Sequence, residues 1–123
     1  MTIHRTAAKR GSKYGNRKVT TNGYTFDSAM EERRYQELLI LQSAMRIKAL
    51  KVHPEYLIHE SYRQAETGKT IPSVAYEADF EYFDCDDRKW VTEDVKGVET
   101  AVFKLKRKLF EARYHRLLRT VQA

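Results

Sequence analysis

The sequence predicts a mixed α/β domain whose central sheet is flanked by helices, with a β-hairpin at its N-terminal side. Three observations carry this. Two β-prone runs flank an Asn-Gly pair, two stretches free of Gly and Pro have helical character, and two alternating strands surround a polar turn.

Residues 1–16 are polar, basic and without periodicity, and are expected to form a flexible basic arm. The remainder, 17–123, is expected to be a single domain, the size a chain of 123 residues supports. "RKVTTNGYTF" places Asn22-Gly23 between the β-prone runs, a type I′ hairpin signal. "FDSAMEERRYQELLILQSAM" follows as a helix that Asp27 or Ser28 can cap. "IKALKVHPEYLIHE" is extended, interrupted at Pro54, with a strand around Tyr56 to Ile58, and "ETGKTIP" is a turn or loop. Val74 to Phe83 and Trp90 to Lys96 form a strand pair around "DCDDRK". Gly97 ends the second strand, Thr100 to Tyr114 is helical, and "RLLRTV" is a short final strand.

In the helix from Thr100, Val102, Leu105, Leu109 and Ala112 form an apolar stripe widened by Phe103 and Phe110. Lys104 and Lys108 point away from it, as on any solvated face. Lys106 falls inside the apolar arc, either snorkelling to water or reaching into a site.

Composition narrows the function classes. A hydrophobic share of 41% fits a globular chain, and no apolar run approaches the ~20 residues that cross a bilayer. With no apolar leader in the first residues, a cytoplasmic location is expected. Cys85 is the single cysteine, which excludes an intrachain disulfide and a Cys-rich zinc site. The net charge of +6 is unevenly spread: both ends are basic and 19–99 is acidic. Basic ends around an acidic centre fit a frame for phosphates, and they also fit ordinary solvated tails.

The acidic centre has a pattern. If Phe83 faces Trp90, then Asp79 lies opposite Asp94 and Glu77 opposite Lys96. Glu77, Asp79, Glu81, Thr92, Asp94 and Lys96 then share one face, while Tyr76, Ala78, Phe80, Tyr82, Val91 and Val95 share the other with Glu93. Such a face is ordinarily the wet side of an amphipathic hairpin. Opposed aspartates repel, however, unless one is protonated or a cation lies between them. Hard divalent ions take one or two carboxylates with waters and phosphate oxygens. A calcium loop beginning at Asp84 is excluded, because position six lacks glycine and position twelve is Val95. Glu31 fits a capping box with Ser28, yet it also shares a helix face with Tyr35, Leu38 and Gln42.

Glu31 on a helix, Asp79 on a strand and Asp94-Val95-Lys96 on the next resemble the PD-(D/E)XK nucleases. "YTFDSAMEERRYQEL", "YEADFEY" and "TEDVKG", followed by a lysine-rich helix, are similar to a family of small phage-associated proteins placed in that superfamily. The likeness covers roughly residues 13–121, and Ala78 stands where the eponymous proline would be. Glu93 is a competing acid, but a D-x-K pair needs both side chains on one strand face, which selects Asp94.

The resemblance implies a restriction-endonuclease-like core and a metal-dependent DNA endonuclease, phage- or prophage-encoded, selective for branched or junction DNA like a Holliday junction resolvase. Glu31, Asp79, Asp94 and Lys96 would be catalytic. Asp79, Asp94, the Val95 carbonyl and Glu31 would hold Mg²⁺, with Mn²⁺ able to substitute. Lys13, Arg17, Lys18, Lys104, Lys106 and Lys108 would contact DNA, and cutting two strands would need a homodimer. The alternatives are a DNA-binding accessory that keeps the fold without catalysis, and a module whose basic ends bind an acidic protein.

Overall fold

The computed structural model describes residues 17–122, and these fall into two compact units that meet in sequence between Arg46 and Ile47. The expected basic arm, with Lys13, lies outside the described residues. The architecture is mixed α/β with an N-terminal hairpin, as the sequence predicts.

In the first unit, β1 (Val19–Thr21) and β2 (Tyr24–Phe26) pair antiparallel with Thr21 opposite Tyr24. Asn22 and Gly23 both take positive φ, 53° and 84°, as a type I′ turn requires. Helix α1 (Ala29–Ser43) starts at Ser28, whose hydroxyl accepts the Glu31 N–H. Its buried face is Tyr35 and Leu38, the face that Glu31 shares, and the Tyr35 ring packs on Phe26 with centroids 5.1 Å apart. Glu32 ties the helix to the hairpin by accepting the Thr21 hydroxyl at 3.1 Å.

The second unit is built on a four-stranded sheet in the order β10-β9-β8-β3. Strand β8 (Phe80–Asp84) pairs antiparallel with β3 (Ile47–Val52) on one side and with β9 (Lys89–Lys96) on the other. Strand β10 (Leu118–Gln122) runs parallel to β9, after the crossover helix α2 (Ala101–Tyr114) that a parallel pair needs. The Thr100 hydroxyl caps α2 by accepting the Phe103 N–H, and His115 closes it in the left-handed conformation. Two further hairpins complete the unit: β4 (Glu55–His59) with β7 (Val74–Glu77), and the short β5 (Tyr62–Arg63) with β6 (Thr70–Ile71) where the sequence predicts only a loop.

The predicted register holds over the strand pair, with Phe83 opposite Trp90 and Phe80 opposite Glu93. The predicted single strand from Val74 does not. It breaks at Ala78–Asp79, so β7 leaves the central sheet and pairs with β4. Glu77 therefore lies opposite Glu55, and Lys96 lies beside Gln122.

The core of this unit gathers Tyr56, Ile58, Tyr76, Ala78, Phe103, Phe110 and Leu118. Phe110 is its hub, meeting Tyr56 edge-on at 4.8 Å and stacking on Tyr114 at 5.3 Å. The buried face of α2 is thus the Phe103–Phe110 line, while Val102 and Leu105 are exposed, contrary to the stripe predicted for them. Two aromatic rings seven positions apart bury more area than the Val-Leu pair and so set the helix rotation. Phe110→Ala should lower stability by about 3–5 kcal/mol. Urea denaturation followed by circular dichroism measures this, and a loss below ~1 kcal/mol would show that Phe110 is not the hub.

Candidate metal centre and its polar surroundings

The middle of strand β9, from Val91 to Asp94, is buried on both faces. Thr92, Glu93 and Asp94 are three consecutive polar residues with at most 2% exposure, so this part of the strand pair is interior and not the wet side of a hairpin, while Glu77 is exposed. Burial of such groups is tolerable only when each is hydrogen-bonded. A tyrosine serves each of them. The Tyr56 hydroxyl bonds with Thr92 at 2.9 Å, the Tyr82 hydroxyl donates to Glu93 at 2.6 Å, and the Tyr76 hydroxyl donates to Asp94 Oδ2. Tyr56 also donates to Glu81 at 2.5 Å, and burial together with this bond raises its phenol pKa well above the usual value. Glu93 bonds Tyr82 from within the sheet while Asp94 lies one residue on, with the opposite orientation, beside Lys96. That separates the two acids as the D-x-K pattern requires.

At the strand break, the carboxylates of Asp79 and Asp94 each hold a backbone N–H of the facing segment. The Asp79 N–H donates to Asp94 Oδ1 at 2.8 Å, and the Val95 N–H donates to Asp79 Oδ2 at 2.7 Å. Strand geometry therefore brings Asp79, Asp94, Val95 and Lys96 together. The Lys96 ammonium lies 3.9 Å from Asp94 Oδ2 and 4.4 Å above the Phe103 ring, which steers the flexible side chain along the strand face. Desolvation raises the Asp94 pKa, while Lys96 and the Asp79 N–H act against that shift without cancelling it.

A further residue, unremarked in the sequence, reaches this place. His53 precedes buried Pro54 between β3 and β4 and adopts φ 56°, a left-handed conformation uncommon for a non-glycine residue. Its N–H donates to the Asp79 carbonyl at 2.9 Å, and Ala78 N–H donates to the Pro54 carbonyl at 3.0 Å. Among the described residues, a ring nitrogen of His53 and a carboxylate oxygen of Asp79 lie within 4.8 Å of each other, close enough to share a metal ion. The only sequence signal was a histidine joined to a proline between two strands, which has many ordinary explanations.

The donor set fits a divalent cation. Each carboxylate oxygen can accept more than one partner, so Asp79 keeps coordinating capacity beside His53, whereas the buried Asp94 carboxylate is also taken up by the Tyr76 hydroxyl and lies outside that grouping. A cation would also offset the cost of burying the Asp94 charge. Carboxylate oxygens suit Mg²⁺ and Mn²⁺ alike, whereas an imidazole nitrogen favours Mn²⁺ or later transition metals.

Of the other predicted residues, Glu31 sits in the first turn of α1 in the first unit, and Arg17 and Lys18 precede β1 in the same unit, with Lys18 paired to Asp27 at 3.0 Å. Lys104 and Lys108 are exposed on α2, while Lys106 is partly buried on the side of Phe103 and Phe110, as its place in the apolar arc predicts. No helix among the described residues is long and apolar enough to cross a membrane.

Because the native state holds the Asp94 proton more tightly than the unfolded chain does, metal-free stability should fall as pH rises from the ordinary aspartate value through the raised native one. Asp94→Asn keeps an acceptor for the Asp79 N–H and removes the buried charge. It should raise the metal-free melting temperature near neutral pH and remove that part of the pH dependence, as differential scanning calorimetry in EDTA can measure. A melting temperature lowered by several degrees would contradict the burial cost assigned to Asp94.

A family model described as "Protein of unknown function (DUF1064)" matches residues 11–123, so the chain belongs to that family. No curated protein and no solved structure matches it significantly.

Proposed function

We propose that this member of the DUF1064 family is a metal-dependent DNA endonuclease that hydrolyses phosphodiester bonds in branched DNA. The observation that carries the reading is the convergence of Asp79, Asp94 and Lys96 at one strand break, with acid and lysine on one face of β9. His53 adds a nitrogen donor beside Asp79. The basic helix α2 and the basic N-terminal stretch supply charge for the DNA backbone.

In this reading Asp79 and Asp94 hold the metal, with His53 as a further ligand and the Val95 carbonyl as the backbone one. The bound ion supplies a Lewis acid at the scissile phosphate and makes water a stronger nucleophile. Lys96 keeps its proton on Nζ and donates to a non-bridging phosphate oxygen, countering the charge that grows there as water attacks. The water proton passes to solvent or to a phosphate oxygen, and the P–O bond to the 3′ oxygen breaks, leaving a 5′-phosphate and a 3′-hydroxyl. Glu31, which the resemblance casts as a supporting carboxylate, is tested apart from these. Junction resolution would take two copies, one for each strand.

The test is cleavage of a labelled four-way junction and its linear duplex with Mg²⁺, Mn²⁺ or EDTA, together with Mn²⁺ affinity read by paramagnetic resonance. Cutting should require metal, be faster with Mn²⁺ than with Mg²⁺, and favour the junction. Lys96→Ala should lose roughly 10²–10³-fold in rate while keeping Mn²⁺ affinity. His53→Ala should weaken Mn²⁺ binding about 10-fold or more and narrow the Mn²⁺ advantage, and Glu31→Gln should weaken it less. DNA binding without cutting under every metal would instead make the protein a non-catalytic accessory.

A further inference from the structure

The opposite end of β9 carries a second concentration of chemistry that the metal centre does not use. A cleft of about 390 Å³ opens there, lined by Lys89, Trp90, His115, Arg116, Leu117 and Arg119 among others. That volume is within the range of small-ligand sites, roughly 300–1,000 Å³. Trp90 is 43% exposed and Leu117 is 71% exposed, so apolar surface remains open to solvent. Phe83 holds the indole in an edge-to-face contact at 5.4 Å, which fixes its orientation.

The cations around it are anchored, with donors to spare. Arg116 bonds Thr92 at 2.9 Å and meets Glu81 at 3.5 Å, in both cases through Nη1. Arg119 donates to the Tyr82 hydroxyl, again through Nη1, at 3.2 Å. A guanidinium carries five N–H donors, so among the described residues Nη2 and Nε of both forks remain for a ligand. Lys89, at the mouth, has Asp84 as its ladder partner and is exposed. The cleft therefore offers a flat aromatic surface rimmed by positive charge, which complements a ligand that is at once aromatic and anionic.

We propose that this cleft binds single-stranded DNA, an unpaired base stacking on Trp90 while Lys89, Arg116 and Arg119 hold the flanking phosphates. Such pairing of aromatic platforms with basic grooves is how unpaired strands are bound without sequence preference. Trp90 and Asp94 are four residues apart, about 13 Å along an extended strand, so the cleft is separate from the metal centre. The inference takes from the proposed function only that the ligand is DNA, and neither metal nor cleavage enters its test.

Trp90 is the sole tryptophan of the chain, so its fluorescence reports on this cleft directly. In EDTA and low salt, an eight-nucleotide oligothymidylate should quench that emission saturably. An abasic oligomer of the same length should bind at least 10-fold more weakly, and polyglutamate should not quench. By anisotropy of the labelled oligothymidylate, Trp90→Ala should bind roughly 10-fold more weakly and Trp90→Phe within about threefold of the parent. Lys89→Glu, on the exposed rim, should weaken binding and flatten its salt dependence, and it serves if Trp90→Ala fails to fold. Equal binding of the abasic oligomer, equal quenching by polyglutamate, or unchanged affinity in both Trp90→Ala and Lys89→Glu would overturn the proposal. Cleavage can fail while all of these succeed, and the reverse also holds.

Discussion

The reciprocal hold between Asp79 and Asp94 is the constraint around which the second unit is arranged. A strand that changes partners in mid-course leaves backbone groups without a ladder. Here the Asp79 carboxylate accepts the Val95 N–H, and the Asp79 N–H is shared between the Asp94 carboxylate at 2.8 Å and the Glu93 carbonyl at 3.2 Å. On the other side of the same break, Pro54 and His53 take up Ala78 N–H and the Asp79 carbonyl. The accounting of buried backbone groups thus closes through side chains, as it must in a native interior. The acids suited to holding a metal are also the ones that let β7 leave for β4. Chemistry and topology share the same atoms.

This sharing explains why so much polarity is tolerated inside a small unit. Buried carboxylates are costly when unpaired, and partly satisfied networks are worse than apolar ones. Strand β9 meets the requirement by assigning tyrosines from three different strands, β4, β7 and β8, to three successive residues. Each tyrosine places its ring in the interior and spends only its hydroxyl on polarity, so one residue type supplies both hydrophobic area and hydrogen bonds. The consequence reaches Lys96. Its strand is fixed on both faces and both edges, so the ammonium moves only by its own side-chain rotations, and Phe103 restricts those.

What the sequence disclosed was local. The Asn22-Gly23 turn, the caps at Ser28 and Thr100 and the Phe83–Trp90 register depend on neighbours close in the chain, and each is found as expected. The break at Ala78–Asp79 was hidden because alternation runs unbroken from Tyr76 to Tyr82, and periodicity cannot tell which partner strand a residue meets. His53 was hidden for a related reason: its pairing with Asp79 spans two hairpins, and a single histidine has no pattern. The burial of the acidic face was not legible, because charge alone leaves the wet side of a hairpin as the ordinary alternative. The tyrosines that accommodate Glu81 and Asp94 come from β4 and β7, which the sequence could not place above them. The rotation of α2 departs from the predicted stripe because Phe103 and Phe110 outweigh Val102 and Leu105 in size.

Strand β9 also links the two ends of the unit mechanically. It lies between β8 and β10, bonded to both, with no buried face left to slide. A ligand seated against Trp90 and one seated at Asp94 would therefore keep a fixed spacing, set by the rise of the strand and not by a loop. Loops suit sites that must close, whereas a packed strand suits sites that must measure. Under the proposed function, where branched DNA differs from plain duplex mainly in where strands part, a rigid offset between an unpaired base and a scissile phosphate would be a means of reading shape without reading sequence.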